Sequence, residues 1–175
     1  MPDEELLEIV NQNDQVVGQA KRRTIHKAGL WHRGVHVFLF TSERKLLVQK
    51  RSKYKVESPS TLDCSVSEHI KPGEKYLDGA LRGLHEELGI DPIGIEYVMK
   101  FRMNYGPGDN HISALYEGVI YDTMIRSDSE EIDQINYYHL SELERLLSQG
   151  EVSFSNWFKQ LLLWYLDKPS EVMEI

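Results

Sequence analysis

Two adjacent carboxylates, Glu86 and Glu87, stand near the end of the segment HIKPGEKYLDGALRGLHEELGI (residues 69–90), with Gly79 and Gly83 just before them. The run from Glu74 to Leu88 has helical period: Leu77, Leu81, Leu84 and Leu88 fall at i, i+4, i+7 and i+11 and mark one apolar stripe. At about 100° per residue, Glu86, Glu87 and both glycines are expected on the side away from that stripe. Each glycine costs roughly 1 kcal/mol against alanine in a helix interior. Two of them beside two carboxylates mark a place where something approaches the backbone: a ligand, a metal shell or another chain segment. Gly89 and Pro92 stop the helix.

The elements around this helix are mostly strands. EELLEIVNQNDQVVGQAKRR reads as strand, turn and strand, and GVHVFLF (34–40) and KLLVQKR (45–51) are expected to form a hairpin across TSER. KYKVESPSTLDCSVSEHIKPGE reads as loop with a short strand near LDCSV. Three further strands are expected in IEYVMKFRMNY, HISALYEGVIYD and INYYHL. SELERLLSQ reads as a helix with Ser141 as N-cap and Glu144 completing a capping box. FSNWFKQLLLWYLDK is a last amphipathic helix, whose Trp157, Phe158, Trp164 and Tyr165 cover either the core or a partner, so a homodimer is one expectation. This order predicts an α+β fold: a central mixed sheet flanked by helices in an α/β/α sandwich, not a tandem βαβ fold.

Composition bounds the function. A chain of 175 residues suits one domain with its own core, and 41% hydrophobic with 27% charged residues is ordinary for a globular protein. The net charge of −8 argues against a nucleic acid as partner. It leaves room for a small phosphorylated ligand, because a bound cation can reverse the local field. Cys64 is the sole cysteine, so no internal disulfide forms. No stretch approaches the roughly 18–20 apolar residues of a membrane span. The acidic start MPDEELLEIV is too polar for a signal peptide, and a reducing, cytoplasmic setting is expected.

Read from the turn, the motif is His-Ile-Lys-Pro-Gly73-Glu74, seven residues, then Arg82-Gly83-Leu84-His85-Glu86-Glu87-Leu88-Gly89-Ile90. It resembles the Nudix box, G-x5-E-x7-R-E-U-x-E-E-x-G-U with U aliphatic, of the MutT-like Nudix hydrolases. Glu74, Arg82, Leu84, Glu86, Glu87, Gly89 and Ile90 match; Glu68 replaces the first glycine and Gly83 the glutamate after the arginine. The resemblance implies a Nudix domain over residues 1–175, with 1–30 as a β-hairpin extension, 68–90 as the box loop and helix, and 141–168 as closing helices. It implies Mg²⁺ or Mn²⁺ held at Glu86 and Glu87, with Glu87 a ligand and Glu86 a ligand or general base. Glu74 and Arg82 pair as a brace, and Gly73 and Gly89 shape the box ends. Glu130 or Glu131 is a further carboxylate candidate, although SDSEE also reads as a solvated loop. Loss of the glutamate at Gly83 implies weakened catalysis.

A second resemblance is to type 1 isopentenyl-diphosphate isomerases, which share the fold and add a histidine-rich metal site. His69 precedes the box turn where that family has a metal histidine, His26 and His32 resemble its N-terminal pair, and Asp109 and His111 fall at its two acidic positions. Together His69, Asp109 and His111 suit a second, transition-metal site. A lone His32 or His36 beside a strand is also the pattern of a structural, hydrogen-bonded histidine. The isomerase's catalytic cysteine, glutamate and tyrosine are replaced by Ser67, His111 and Met103, and Cys64, an odd number of residues early, is expected on the opposite face. Trp157 matches that family's helical tryptophan. Of the basic residues Lys21, Arg22, Arg23, Lys50, Arg51, Lys53 and Lys55, Arg51 and Lys55 are expected at a diphosphate, Arg51 gripping it bidentately. The readings in competition are a hydrolase of nucleoside diphosphates linked to another moiety, an isomerase, and a weakened module that binds a phosphorylated ligand.

Overall fold

Alternation along one central strand sorts the residues of this protein into two cores. The computed structural model describes residues 2–91, 93–121 and 125–175; Pro92, expected to help stop the box helix, and Asp122, at the end of HISALYEGVIYD, lie outside them. A short 3₁₀ turn leads into β1 (Leu6–Val10), β2 (Val16–Lys21) and helix α1 (Arg22–Ala28). Next come β3 (Trp31–Thr41), β4 (Lys45–Arg51), β5 (Leu62–Asp63), β6 (Val66–His69) and the box helix α2 (Tyr76–Leu88). The chain continues with β7 (Ile95–Asn104), β8 (Asn110–Ile120), β9 (Ile132–His139), α3 (Leu140–Gln149), α4 (Asn156–Tyr165) and β10 (Met173–Glu174).

On β3, Phe38 and Phe40 join Phe101, Leu115, Phe158 and Leu161 in one core beneath α3 and α4. Val35, Val37 and Leu39 point the other way and join Ala80, Leu84, Leu88 and Ala114 beneath α2. The sheet therefore lies between two helical layers, the expected α/β/α sandwich. Full burial of side chains of this size stabilises the fold by roughly 1.5–3 kcal/mol each. Trp157 and Phe158 are buried in the first core and Trp164 and Tyr165 pack against it, so α4 covers its own chain.

The main sheet runs β10-β7-β8-β3-β4-β5, with β6 also on β3 and β9 on β4. β3 and β8 are parallel along their whole length, and the other pairs are antiparallel. β3 meets β4 only at Phe40↔Leu46, and its first half pairs with β6 instead, from Gly34↔His69 to Val37↔Val66. The sheet opens at that end, where β3 and β8 begin and β4 finishes. The β1–β2 hairpin is pinned there through Arg33, which donates to Asp14 at 2.6 Å and to Glu8 at 3.2 Å.

Several expectations are corrected. The buried face of α2 is Gly79, Ala80, Gly83, Leu84, Glu87 and Leu88, whereas Leu77 is 42% exposed. A Cβ on Gly79 would lie 2.5 Å from Ile70 Cδ1, and one on Gly83 2.5 Å from Val66 Cγ1. The glycines thus face the sheet, and what approaches their backbone is another chain segment, β6 and the residue after it. The N-cap of α3 is His139, not Ser141, and the residue returning the capping-box hydrogen bond is Glu142, not Glu144, at 2.7 Å from the His139 N–H. The helix starts earlier because Glu142, not Glu144, occupies its third turn position from the cap. α1 and β10 have no counterpart in the sequence reading: RRTIHKA buries only Ile25, and β10 has two residues. Among the described residues no helix is long and apolar enough to cross a membrane.

Candidate functional site

The open end of the sheet holds a cavity of about 360 Å³. Its walls gather residues from every part of the chain, and three chemical groups divide them.

Carboxylates form the first wall. Glu87 is 8% exposed and accepts a hydrogen bond from Gln49 Nε2 at 2.5 Å; Gln49 itself is fixed by donation to the Ser65 carbonyl at 2.6 Å. Glu68 reaches in from β6 and its carboxyl group meets that of Glu87 within hydrogen-bonding range. Burial, and then the Glu68 charge, push the Glu87 carboxyl well above the usual carboxylate range. Burial also raises Glu68, against the pull of Arg82. Glu86 is half-exposed and receives Arg82 Nη1 at 3.1 Å. The Arg82 guanidinium grips both oxygens of Glu74, at 2.8 and 3.0 Å, and donates to the His69 carbonyl at 2.8 Å. The expected Glu74–Arg82 brace is therefore present, and it also holds Glu86 and, at 3.3 Å, Glu68. Gly73 (φ 78°) and Gly89 (φ 62°) shape the loop before the helix and its C-cap, away from the cavity.

Histidines form the second wall. His69, Asp109 and His111 line the same cavity, but they do not form one ligand group as expected; His32 from β3 stands between them and, with His26 from α1, divides the wall into two groups. His111 Nε2 is 2.7 Å from Asp109 Oδ1, and His26 and His32 place Nε2 at 3.3 and 3.6 Å from the same oxygen. His69 Nδ1 donates to Glu5 at 3.2 Å, and that carboxylate fixes the orientation of the ring. One potential ligand atom each from His26, His32 and His69, and from His32, Asp109 and His111, lies within 4.8 Å of its fellows. Buried His32 Nε2 and His111 Nδ1 have no hydrogen-bond partner, an arrangement that costs free energy unless an electrophile completes it. Burial, followed by the neighbouring histidines, holds both rings far below the usual imidazole range and so in the neutral, metal-binding form. By the donor set and these orphaned nitrogens, the wall fits a divalent transition metal. Gly34 makes room for it: a Cβ there would stand 2.9 Å from His111 Nδ1.

Cations form the third wall. Arg51 donates through Nη1 to Asp63 at 2.8 Å and through Nε and Nη2 to the Glu57 carbonyl at 3.1 and 3.0 Å. Lys55 pairs with Glu131, and Arg22 pairs with Glu57 at 2.7 Å. All three cations line the cavity; Lys21 and Arg23 are engaged with Glu4, outside it. Trp157 spends its indole N–H on Asp63 at 2.7 Å and lies under the Arg51 guanidinium, 5.2 Å from its ring centre. Glu131 lines the cavity, Glu130 does not, and Asp128 joins them without a distinctive sequence signal.

The isomerase-like positions divide. Ser67 lines the cavity and lies 2.9 Å from His36 Nδ1. His36 is the structural histidine of the set, with Nε2 2.6 Å from the Tyr105 hydroxyl, and burial lowers it to about 4. Met103, expected at the tyrosine position, is buried in the core, and it is Tyr105 that lines the cavity, with its ring stacked on His111 at 4.0 Å. Cys64 is fully buried outside the cavity lining, but it is not on the face opposite Ser67 as expected: the strand is interrupted between Asp63 and Val66, and Cys64 Sγ lies 3.9 Å from the same His36 Nδ1 that Ser67 meets; burial pushes its thiol well up.

The NUDIX domain family model matches residues 30–159. An uncharacterized Nudix hydrolase of Streptomyces coelicolor is 36% identical over 149 residues, covering 85% of this chain and 82% of that protein. An isopentenyl-diphosphate Delta-isomerase of Streptomyces avermitilis is 31% identical over 163 residues, covering 90% and 81%. The crystal structure of a Deinococcus radiodurans protein superposes with a TM-score of 0.75 at 24% identity, covering 90% of this chain and 97% of that one, which is a likeness of fold.

Proposed function

The chain belongs to the Nudix family, in a subgroup similar to type 1 isopentenyl-diphosphate isomerases, and from that premise we propose that it hydrolyses a phosphoanhydride bond in a nucleoside diphosphate linked to another moiety, with Mg²⁺ or Mn²⁺. One observation carries this reading: a single cavity sets the box carboxylates opposite Arg22, Arg51 and Lys55. When bound, the divalent ion offsets phosphate charge and makes a water molecule a better nucleophile. Glu87, fixed by Gln49, serves as a ligand of the ion, and Glu86, half-exposed and steadied by Arg82, serves as a second ligand or as the base that accepts a proton from the attacking water. Arg51 keeps its uncommitted N–H groups for phosphate oxygens, and Trp157 holds the guanidinium plane from below. The protein works as one domain, with the N-terminal hairpin tied to the box loop: Glu8 accepts from the Gly73 N–H at 2.9 Å. Turnover of nucleoside diphosphate derivatives with Mg²⁺ or Mn²⁺, lost in Glu87→Gln, tests the proposal; a folded protein inert toward the whole series refutes it.

The isomerase reading draws on the histidine wall and the Streptomyces avermitilis relative. Alkene isomerisation needs an acid and a base on opposite faces of the carbon. Here Ser67 stands at the cysteine's place, and Cys64 is buried outside the cavity lining, against His36. We expect no deuterium incorporation into isopentenyl diphosphate; incorporation would favour the isomerase. Calorimetric nucleotide binding with no turnover would instead favour the binding module.

A further inference from the structure

Two departures from the box, Glu68 for its first glycine and Gly83 for its second glutamate, are remote in sequence and face each other in the fold. A Cβ built on Gly83 would lie 2.8 Å from Glu68 Cγ and 2.5 Å from Val66 Cγ1. The gap between α2 and β6 at this level is thus filled by a side chain from the strand, and the helix contributes bare backbone. We propose that Glu68 takes over the work of the carboxylate missing at Gly83, so that the third carboxylate of the cation site comes from β6 instead of α2. This rests on the hydrolase reading above and deepens it.

Strand alternation fixes where Glu68 goes. Val66 packs in the core under α2, and Glu68, two residues on, shares that face, while Ser67 and His69 face His36 and the histidine wall. The Glu68 side chain is 20% exposed, lines the cavity, and brings its carboxyl group against Glu87. Arg82 Nη1 holds it at 3.3 Å and reaches Glu86 from the same nitrogen at 3.1 Å. Glu68 and Glu86 therefore converge on one guanidinium, and with Glu87 in the same cavity lining they make the oxygen-rich set that Mg²⁺ or Mn²⁺ takes alongside substrate phosphates and waters. A glutamate at residue 83 would need space that Glu68 holds and a shift of the Val66 side chain, and a glycine at residue 68 would leave that space empty. The two replacements are one exchange, and by it the box keeps its carboxylate complement.

The test is Mn²⁺ binding followed by electron paramagnetic resonance on the full chain. A single equivalent of Zn²⁺ is added first to occupy the nitrogen-rich wall, so that Mn²⁺ reports on the carboxylates. Glu68→Gln keeps the shape and removes the charge; it should weaken Mn²⁺ about tenfold or more, comparable to Glu87→Gln, with little change in the urea midpoint. The double variant E68G/G83E returns the carboxylate to the helix and should bind within about threefold of the parent, on the same scale. If Glu68→Gln binds Mn²⁺ like the parent while Glu87→Gln does not, Glu68 is a packing residue and this proposal falls, with the hydrolase reading intact. If neither substitution matters, the ion is not held on this wall and both fall. Should the double variant fail to fold, Glu68→Gln decides alone.

Discussion

Neighbouring residues of one short strand feed two unlike walls. Glu68 turns toward α2 and meets Glu86, Glu87 and Arg82, whereas His69 turns toward His26, His32 and His111. On the carboxylate side a guanidinium braces the charges, and what remains is mutual repulsion that a doubly positive ion would relieve. On the histidine side burial keeps the His32 and His111 rings neutral, and the strain is of another kind: buried nitrogens lacking partners. The first wall suits a hard, oxygen-seeking cation and the second a nitrogen-seeking one. Adjacent residues can thus serve different chemistry because the strand period sends them to opposite faces.

The comparison can be broken most severely through Arg82. Arg82→Ala leaves Glu74, Glu68 and Glu86 without their shared partner, and it should cost about 3–5 kcal/mol in urea unfolding. A cost near zero would mean that the carboxylates do not depend on the brace. Glu87→Gln should lower kcat/KM by two to three orders of magnitude, about 3–4 kcal/mol of transition-state stabilisation, with Zn²⁺ stoichiometry unchanged. Parallel loss of Zn²⁺ would show that the walls are not independent.

His36 gives a pH signature at the back of the cavity. Its folded pKa is depressed to about 4 from 6.5, so the unfolded chain binds the extra proton between those values. Its contribution is present above about pH 6.5 and is lost as pH falls through 4, reaching roughly 3 kcal/mol there. Urea midpoints from pH 7 to pH 4 should fall more steeply for the parent than for His36→Gln; identical slopes would contradict a buried, neutral His36. His111→Asn should weaken Zn²⁺ about tenfold and leave Mn²⁺ at the other wall unchanged. The smallest effect is expected of Trp157→Phe, which leaves Asp63 short of one donor and should cost about 1–2 kcal/mol with a modest rise in KM.

Much of this was legible in the sequence, for physical reasons that differ by element. The β3–β4 hairpin and α2 announce themselves through apolar period, and Glu86, Glu87, His69, Asp109 and His111 through type and spacing; all five line the one cavity. The orientation of α2 was not legible. A leucine wheel finds the apolar stripe, but contact through glycine backbone carries no hydrophobic signal, and so Gly79 and Gly83 were assigned to the wrong side. α1 escaped because one buried isoleucine among basic and polar residues makes no period, and with it His26 and Arg22 lost their placement. Glu68 reads in sequence only as a missing glycine; its meaning requires knowing that Gly83 lies across from it. Tyr105 lies two residues past Met103, just beyond the end of β7, and no sequence signal marks it rather than Met103 as the residue at the cavity.

The most direct test is a crystal soaked with Mn²⁺ and a non-hydrolysable nucleoside diphosphate analogue, read by anomalous scattering. A peak between Glu68, Glu86 and Glu87, with phosphate oxygens turned toward Arg51 and Lys55, is the predicted result. A peak confined to the histidines, or a diphosphate bound outside the cavity, would contradict it.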